Sequence, residues 1–339
     1  MPDVCRGSEP MRRREFLIAL GGAAAWSPSV KAQRPVSRTV GVLELGSLEG
    51  ARRSFGPAQR RLAEMGYVEG RNLALEYRWA DNRDDRLTTL AGDLVQRRVD
   101  AIVVFTGPAI VSAKAATTSI PIIFITGFDP VESGFVASLN RPGGNVTGIS
   151  VLNTEVAAKR LQVLCELLPT AKSIGLLYSP ANLLSVSGAD RIAKDLETVA
   201  QALNVKLLYF DARSSDDLER AFGNMKSAGL DGILVSADAL MIQNIEKVVA
   251  TLARLNIPTV YPIRAFAAAG GLASYGTDYP EAYRQLGDYL GRVLNGENPE
   301  NLPVQRVTKV ELVINMKTAK ALGITVPPAL LARADELIE

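Results

Sequence analysis

The sequence predicts an α/β fold in which two similar doubly wound parallel-sheet lobes are joined by a multi-strand hinge. Three observations carry this expectation: apolar β-rich runs alternate with helical patterns, the order of elements repeats once, and 339 residues exceed what one core supports. Single cores stop growing beyond roughly 250–300 residues. Hydrophobic types make up 47% of the chain, enough to fill two cores.

In the first half VGVLELGS (40–47) reads as a strand and residues 51–66 as a helix ending at Gly66. LALEYRWA (73–80) is the second strand and 85–98 the second helix. DAIVVFTGP (100–108), a helix over 109–118 and IPIIFITGFDP (120–130) complete the half. The second half repeats the plan with strands SIGLLYSPAN (173–182), VKLLYFDA (205–212), DGILVSADA (231–239) and IPTVYPIR (257–264). Helices over 188–203, 216–228 and 242–255 lie between them. The repeat reaches details: Asp85 to Asp100 is 15 residues and Asp217 to Asp231 is 14, each pair bracketing a helix that leads into a strand.

Pro142, Gly143 and Gly144 in NRPGGNVTGIS (140–150) break regular structure and mark a hinge passage. Further extended runs at GGLASYG (270–276) and VQRVTKVELVIN (304–315) imply three crossings, near 140–150, 270–276 and 303–312. The expected lobes interleave accordingly: 36–145 with 277–300, and 150–270 with 301–339.

Residues 11–32 (MRRREFLIALGGAAAWSPSVKA) have a cationic start, an apolar run from Phe16 to Trp26, and Val30-Lys31-Ala32 before a cleavage point. The run is shorter than the roughly 20 residues a spanning helix needs. Residues 1–32 therefore read as an export signal, and Arg13-Arg14-Glu15-Phe16-Leu17 resembles the twin-arginine type. The expected mature protein starts near Gln33, lies in the periplasm, and has no stable membrane insertion.

The formal charge of +2 falls to about neutrality once the leader is removed, which argues against nucleic-acid partners. Histidine is absent, removing the commonest general base and metal ligand together. Cys5 lies in the leader, and Cys165, between Leu164 and Leu167, reads as a small packing residue. There is no G-x-S-x-G and no phosphate loop. No enzyme, catalytic residue, metal or cofactor is expected.

Ligands of open parallel sheets bind beyond the carboxyl ends of the strands. The candidates there are Gly46, Ser47, Thr106, Gly107, Thr126 and Asp129 in the first half. The second half offers Ser179, Asn182, Asp238 and Tyr261, with Tyr275 on the second extended run. Gly-Ser and Thr-Gly at strand-to-helix junctions present N–H groups and hydroxyls that hold a carboxylate or phosphate, and a lone Asp suits an ammonium. Tyr261, Tyr275 and Phe105 could stack on a planar ligand. Each Ser, Thr or Asp is also a good ordinary helix cap, so their recurrence at the same end of both sheets carries the reading.

The stretches GYVEGRNLALEYRWADNRDDRL (66–87), IPIIFITGFDPVESGFVASLNRPGGNVTG (120–148), GGLASYG (270–276) and LVINMKTAKALGITVPPALLARADELIE (312–339) point to one family. They resemble the substrate-binding proteins of ABC importers of the tryptophan/tyrosine-binding type, from about residue 38 to the C-terminus. The resemblance implies a type I periplasmic-binding-protein fold. It also implies an amino-acid-like ligand, aromatic ones included, or another small carboxylate. The implied partners are ABC permease subunits in the inner membrane, reached when the lobes close around the ligand. An alternative on the same fold is a ligand-binding sensor feeding a signalling receptor. A lactose-repressor-type regulator would need a helix-turn-helix where the leader stands.

Overall fold

The computed structural model describes residues 37–151, 153–180 and 189–339. The expected leader and Asn182 lie outside the described residues.

The first sheet is built from β1 (Arg38–Glu44), β2 (Leu73–Trp79), β3 (Ala101–Val104), β4 (Ile122–Thr126) and β5 (Val146–Val151). Its helices are α1 (Leu48–Glu64), α2 (Leu87–Gln96) and α3 (Gly107–Ala116). After α4 (Asn153–Leu167) the second sheet begins with β6 (Ser173–Tyr178), α5 (Ala189–Ala202), β7 (Lys206–Asp211), α6 (Ser215–Ser227) and β8 (Gly232–Val235). The predicted helix over 242–255 is two helices, α7 (Ala239–Gln243) and α8 (Ile245–Arg254), parted at Asn244. Then come β9 (Thr259–Tyr261), α9 (Arg264–Ala268), β10 (Ala273–Thr277) and α10 (Tyr279–Leu294). The chain ends with β11 (Gln305–Val307), β12 (Val310–Asn315), α11 (Met316–Ala321), α12 (Pro328–Arg333) and β13 (Glu336–Ile338).

The strand orders are β11-β5-β4-β3-β1-β2 and β13-β12-β10-β9-β8-β6-β7. Setting aside the late strands, both follow one doubly wound pattern, as the repeat predicts. Each sheet is covered on both faces by apolar clusters, so strands such as Ala101–Val104 and Gly232–Val235 are buried at every position. The repeated aspartates do the same work in both halves. Asp100 accepts from the Thr39 N–H (2.7 Å) and Asp231 from the N–H groups of Lys172 and Ser173 (2.7 and 2.9 Å), tying each third strand to the start of the first.

The structure differs from expectation at the crossings. Val146–Val151, read as the first hinge passage, pairs in parallel with β4 over its core and is buried throughout, because Val146, Ile149 and Val151 fill the first core. The run 304–315 is split: Gln305–Val307 pairs with β5 in the first sheet, whereas Val310–Asn315 enters the second. The short segment 305–307 thus belongs with the first sheet, not with 301–339. Since β11 runs toward the crossing alongside β5, its continuation β12 starts from that end and lies antiparallel to β10, the one antiparallel pair among the described residues of a sheet expected to be parallel. The chain leaves the first sheet after Val151 for α4, and passes between sheets again at 277–279 and 307–310. Lys309 joins the last two passages, donating to Asp278 (3.2 Å), whose N–H returns a bond to the Lys309 carbonyl.

Cys165 is half-buried against the second core and its thiol pKa is raised by burial, as suits a packing residue. Among the described residues no helix is long and apolar enough to cross a membrane.

Candidate functional site

The carboxyl ends of β1, β3 and β4 face those of β6 and β8 across a cleft of about 1030 Å³ counting its open mouth. The ends of α4 and α10 complete its wall. Six residues expected at the site line it: Phe105, Thr106, Gly107, Thr126, Ser179 and Asp238.

Their chemistry differs. Asp238, 4% exposed, accepts from the N–H groups of Ser179 (2.9 Å) and Met241 (3.0 Å) and from the Ser236 hydroxyl. It caps α7 and clips the end of β6 to the end of β8. Burial raises its pKa, and the donors around it partly offset that shift. Asp238 is thus occupied by the fold, not the free ammonium acceptor its position suggests. Thr106 stands at the N-cap of α3 without using its hydroxyl as a cap, and its buried Oγ1 has no hydrogen-bond partner. Thr126 Oγ1 accepts from the Phe128 N–H (3.2 Å).

The other expected residues fall elsewhere. Ser47 caps α1, accepting from the Gly50 N–H at 3.1 Å, and neither it nor Gly46 lines the cleft. Asp129 is exposed and holds a turn through the N–H groups of Val131 and Glu132, both at 2.9 Å. Tyr261 is a core residue stacked on Phe266, with centroids 4.9 Å apart, and burial pushes its phenol pKa far up. Tyr275 packs half-buried on the second core. None of these five lines the cleft, because side chains at a strand end alternate between the mouth and the flanking helices.

Two charged side chains that the sequence reading passed over are the cleft's most informative groups. Glu44, the last residue of β1, is 4% exposed. Its carboxyl pKa is raised by burial to about 7, against the pull of the N–H groups of Gly46 (3.0 Å) and Leu45. Arg160, from α4, is also 4% exposed; burial lowers its pKa to about 10, and the neighbouring Tyr279 pushes it back up. Its Nη1 reaches the Val235 carbonyl at the end of β8 (3.4 Å). Aromatic rings stand beside them. Phe105 and Tyr283 meet edge to face at 5.5 Å, and Tyr279 is 6.3 Å from Tyr283.

The sequence carried a signal for both charges. Glu44 interrupts an apolar central strand, and Arg160 sits at four-residue spacing between Val156 and Leu164 on the buried stripe of α4. Buried charge at a core position is rare without a role. Among the described residues no group of three or more acidic or cysteine side chains is placed to hold a metal ion.

Residues 40–338 match the model of a family described as ABC transporter substrate binding protein. A tyrosine-binding protein of Clostridioides difficile is 28% identical over 305 residues, covering 89% of this chain and 85% of the relative. Among solved structures, a conserved domain protein from Vibrio cholerae superposes with a TM-score of 0.78 at 29% identity, over 89% of this chain and 99% of that one. The ABC domain of Streptococcus pneumoniae in complex with L-Trp gives 0.77 at 27% identity, over 89% and 100%. Both the two-lobed fold and a solute-binding rather than enzymatic family follow.

Proposed function

We infer that this chain, which belongs to the ABC transporter substrate binding protein family, is the periplasmic receptor of an importer and binds an amino-acid-like solute, aromatic ones included. The carrying observation is a buried carboxylate and a buried guanidinium lining one cleft from opposite sheets, Glu44 and Arg160. An amino acid is their complement. Its carboxylate suits the planar fork of Arg160, and its ammonium suits Glu44. Phe105, Tyr279 and Tyr283 offer ring faces and edges to an aromatic side chain. The ligands named for the relatives, tyrosine and L-Trp, have this chemistry.

The mechanism is closure about the passages after Val151, at 277–279 and at 307–310. A solute held on one lobe gains contacts from the other as the cleft shuts, which shifts the population toward the closed form. The closed form then engages permease subunits in the inner membrane. The leader at residues 1–32 delivers the chain to the periplasm, by the twin-arginine route.

Thermal unfolding of the purified protein with L-tyrosine, L-tryptophan, 3-(4-hydroxyphenyl)propionate, tyramine and D-glucose separates the chemistries. Binding confined to the native state raises stability by about 2.7 kcal/mol at 100 times the dissociation constant. Shifts with the amino acids, much weaker with the deaminated acid and the amine, are expected. A shift with the acid alone reassigns the cleft to small carboxylates, and no shift with either amino acid overturns the ligand class.

A further inference from the structure

Gln243 is the last residue of the short helix α7, on the second-sheet side of the cleft. Its side chain lies against the turn between β1 and α1 on the opposite side. A Cβ placed on Gly46 would fall 1.5 Å from Gln243 Nε2, and one on Gly50 would fall 2.7 Å from Gln243 Cγ and 3.0 Å from Cδ. In both cases the three nearest heavy atoms all belong to Gln243. Neither glycine has a positive φ, so the backbone does not demand glycine there. Gly50 lies inside the first turn of a 17-residue helix, where glycine is less stable than alanine. What the two glycines provide is room, and one side chain from the facing lobe fills it.

The filled notch bears on the binding site because of what Gly46 does. Its N–H donates to Glu44 Oε1 (3.0 Å), so a side chain seated on Gly46 covers the bond that orients the buried carboxylate. On the other side α7 is fixed by Asp238, which accepts from Ser179 and Met241. A continuous line of contacts therefore runs from the end of β6 through Asp238, α7 and Gln243 to Gly46 and Glu44.

We propose that Gln243 is a positioning residue for ligand binding: it seats in the notch left by Gly46 and Gly50, in the ligand-free protein as well as the bound one, and holds Glu44 in its ligand-binding arrangement. The proposal rests on the receptor reading above, in which Glu44 takes the ligand ammonium.

The test is a double-mutant cycle on the full chain, with L-tyrosine and L-tryptophan as probes and calorimetry as the readout. Gly50→Ala is expected to weaken binding about tenfold while leaving the ligand-free melting temperature unchanged or higher. In a Gln243→Ala background the same substitution should change affinity less than twofold, since the notch is then empty. Equal losses in both backgrounds, or no loss in either, overturn the proposal. If the wild type binds neither amino acid, the ligand class fails and hydrogen exchange in the ligand-free protein decides the notch. The Gly46 amide should exchange about tenfold faster in Gln243→Ala, and an unchanged rate overturns the proposal.

Discussion

The two lobes are alike where their strands begin and unlike where they end. At the beginning, the Asp100 carboxylate accepts from the Thr39 N–H and the Asp231 carboxylate from the Ser173 N–H, each at the start of the first strand of its own half. At the cleft, Thr106 and Asp238 occupy equivalent places, each the N-cap of the helix after the third strand. Asp238 satisfies three neighbouring donors, while the Thr106 hydroxyl is buried without a partner. The first lobe also ends its leading strand in a buried Glu44, whereas the second ends its own in Tyr178 and brings its charge, Arg160, from a helix. A repeated fold thus keeps its floor and diverges at its mouth. Polar groups in the second lobe's strand ends hold the lobe together, whereas in the first the Thr106 hydroxyl is buried without a partner.

The sharpest way to break this comparison is within the second lobe. Arg160→Gln should weaken amino-acid binding by about 2–5 kcal/mol, the range for removing one partner of a buried charge pair. Asp238→Ala should instead unfold the lobe more easily, by about 3 kcal/mol in urea titration, since it strands the buried Ser179 and Met241 N–H groups. If Asp238→Ala cost affinity but little stability, Asp238 would be a ligand group after all.

Glu44 extends the comparison to pH. Burial lifts its pKa from 4.5 to about 7, so the folded state keeps this proton longer than the unfolded chain does. Its favourable contribution is complete below pH 4.5 and is lost as pH rises through 7, by about 3 kcal/mol. Denaturation of the ligand-free protein across that window should show the fall, and Glu44→Gln should flatten it. An ammonium-bearing ligand responds the other way, binding more tightly as the carboxylate forms. Affinity that is flat from pH 5.5 to 8 would remove Glu44 from the site.

How much of this was readable beforehand follows from the same physics. The alternation of apolar runs with helical patterns made two doubly wound sheets of one plan legible, and the repeated aspartates marked the repeat, because doubly buried strands read as short continuous apolar runs and their crossover helices as amphipathic ones. The fate of Gln305–Val307 was not readable, since three residues carry no period and the partner β5 lies more than 150 residues away. Among site residues, position at a strand end was legible and occupancy was not. Asp238 and Thr106 look equally available in sequence, and only the bonds around them separate a structural carboxylate from an idle hydroxyl. Tyr261 and Tyr275 were read as ring platforms, but both turn into the lobe. The missed pair, Glu44 and Arg160, broke apolar patterns that had been used only to place elements.

The smallest effect is the most discriminating, and it lies in the first lobe. Thr106 and Thr126 are both buried threonines at the cleft, 8% and 2% exposed. Thr126 Oγ1 accepts a backbone N–H, so Thr126→Val leaves that donor unpaired and should cost about 1 kcal/mol of stability. Thr106 Oγ1 has nothing to lose, so the isosteric Thr106→Val should be neutral or slightly stabilising in the ligand-free protein. With L-tyrosine or L-tryptophan bound, the ranking should invert: Thr106→Val weakens binding several-fold because the ligand supplies the missing partner, and Thr126→Val does not. Equal effects of the two substitutions on affinity would mean that the idle hydroxyl is packing, and the first lobe's mouth would then depend on Glu44 alone for its polar recognition.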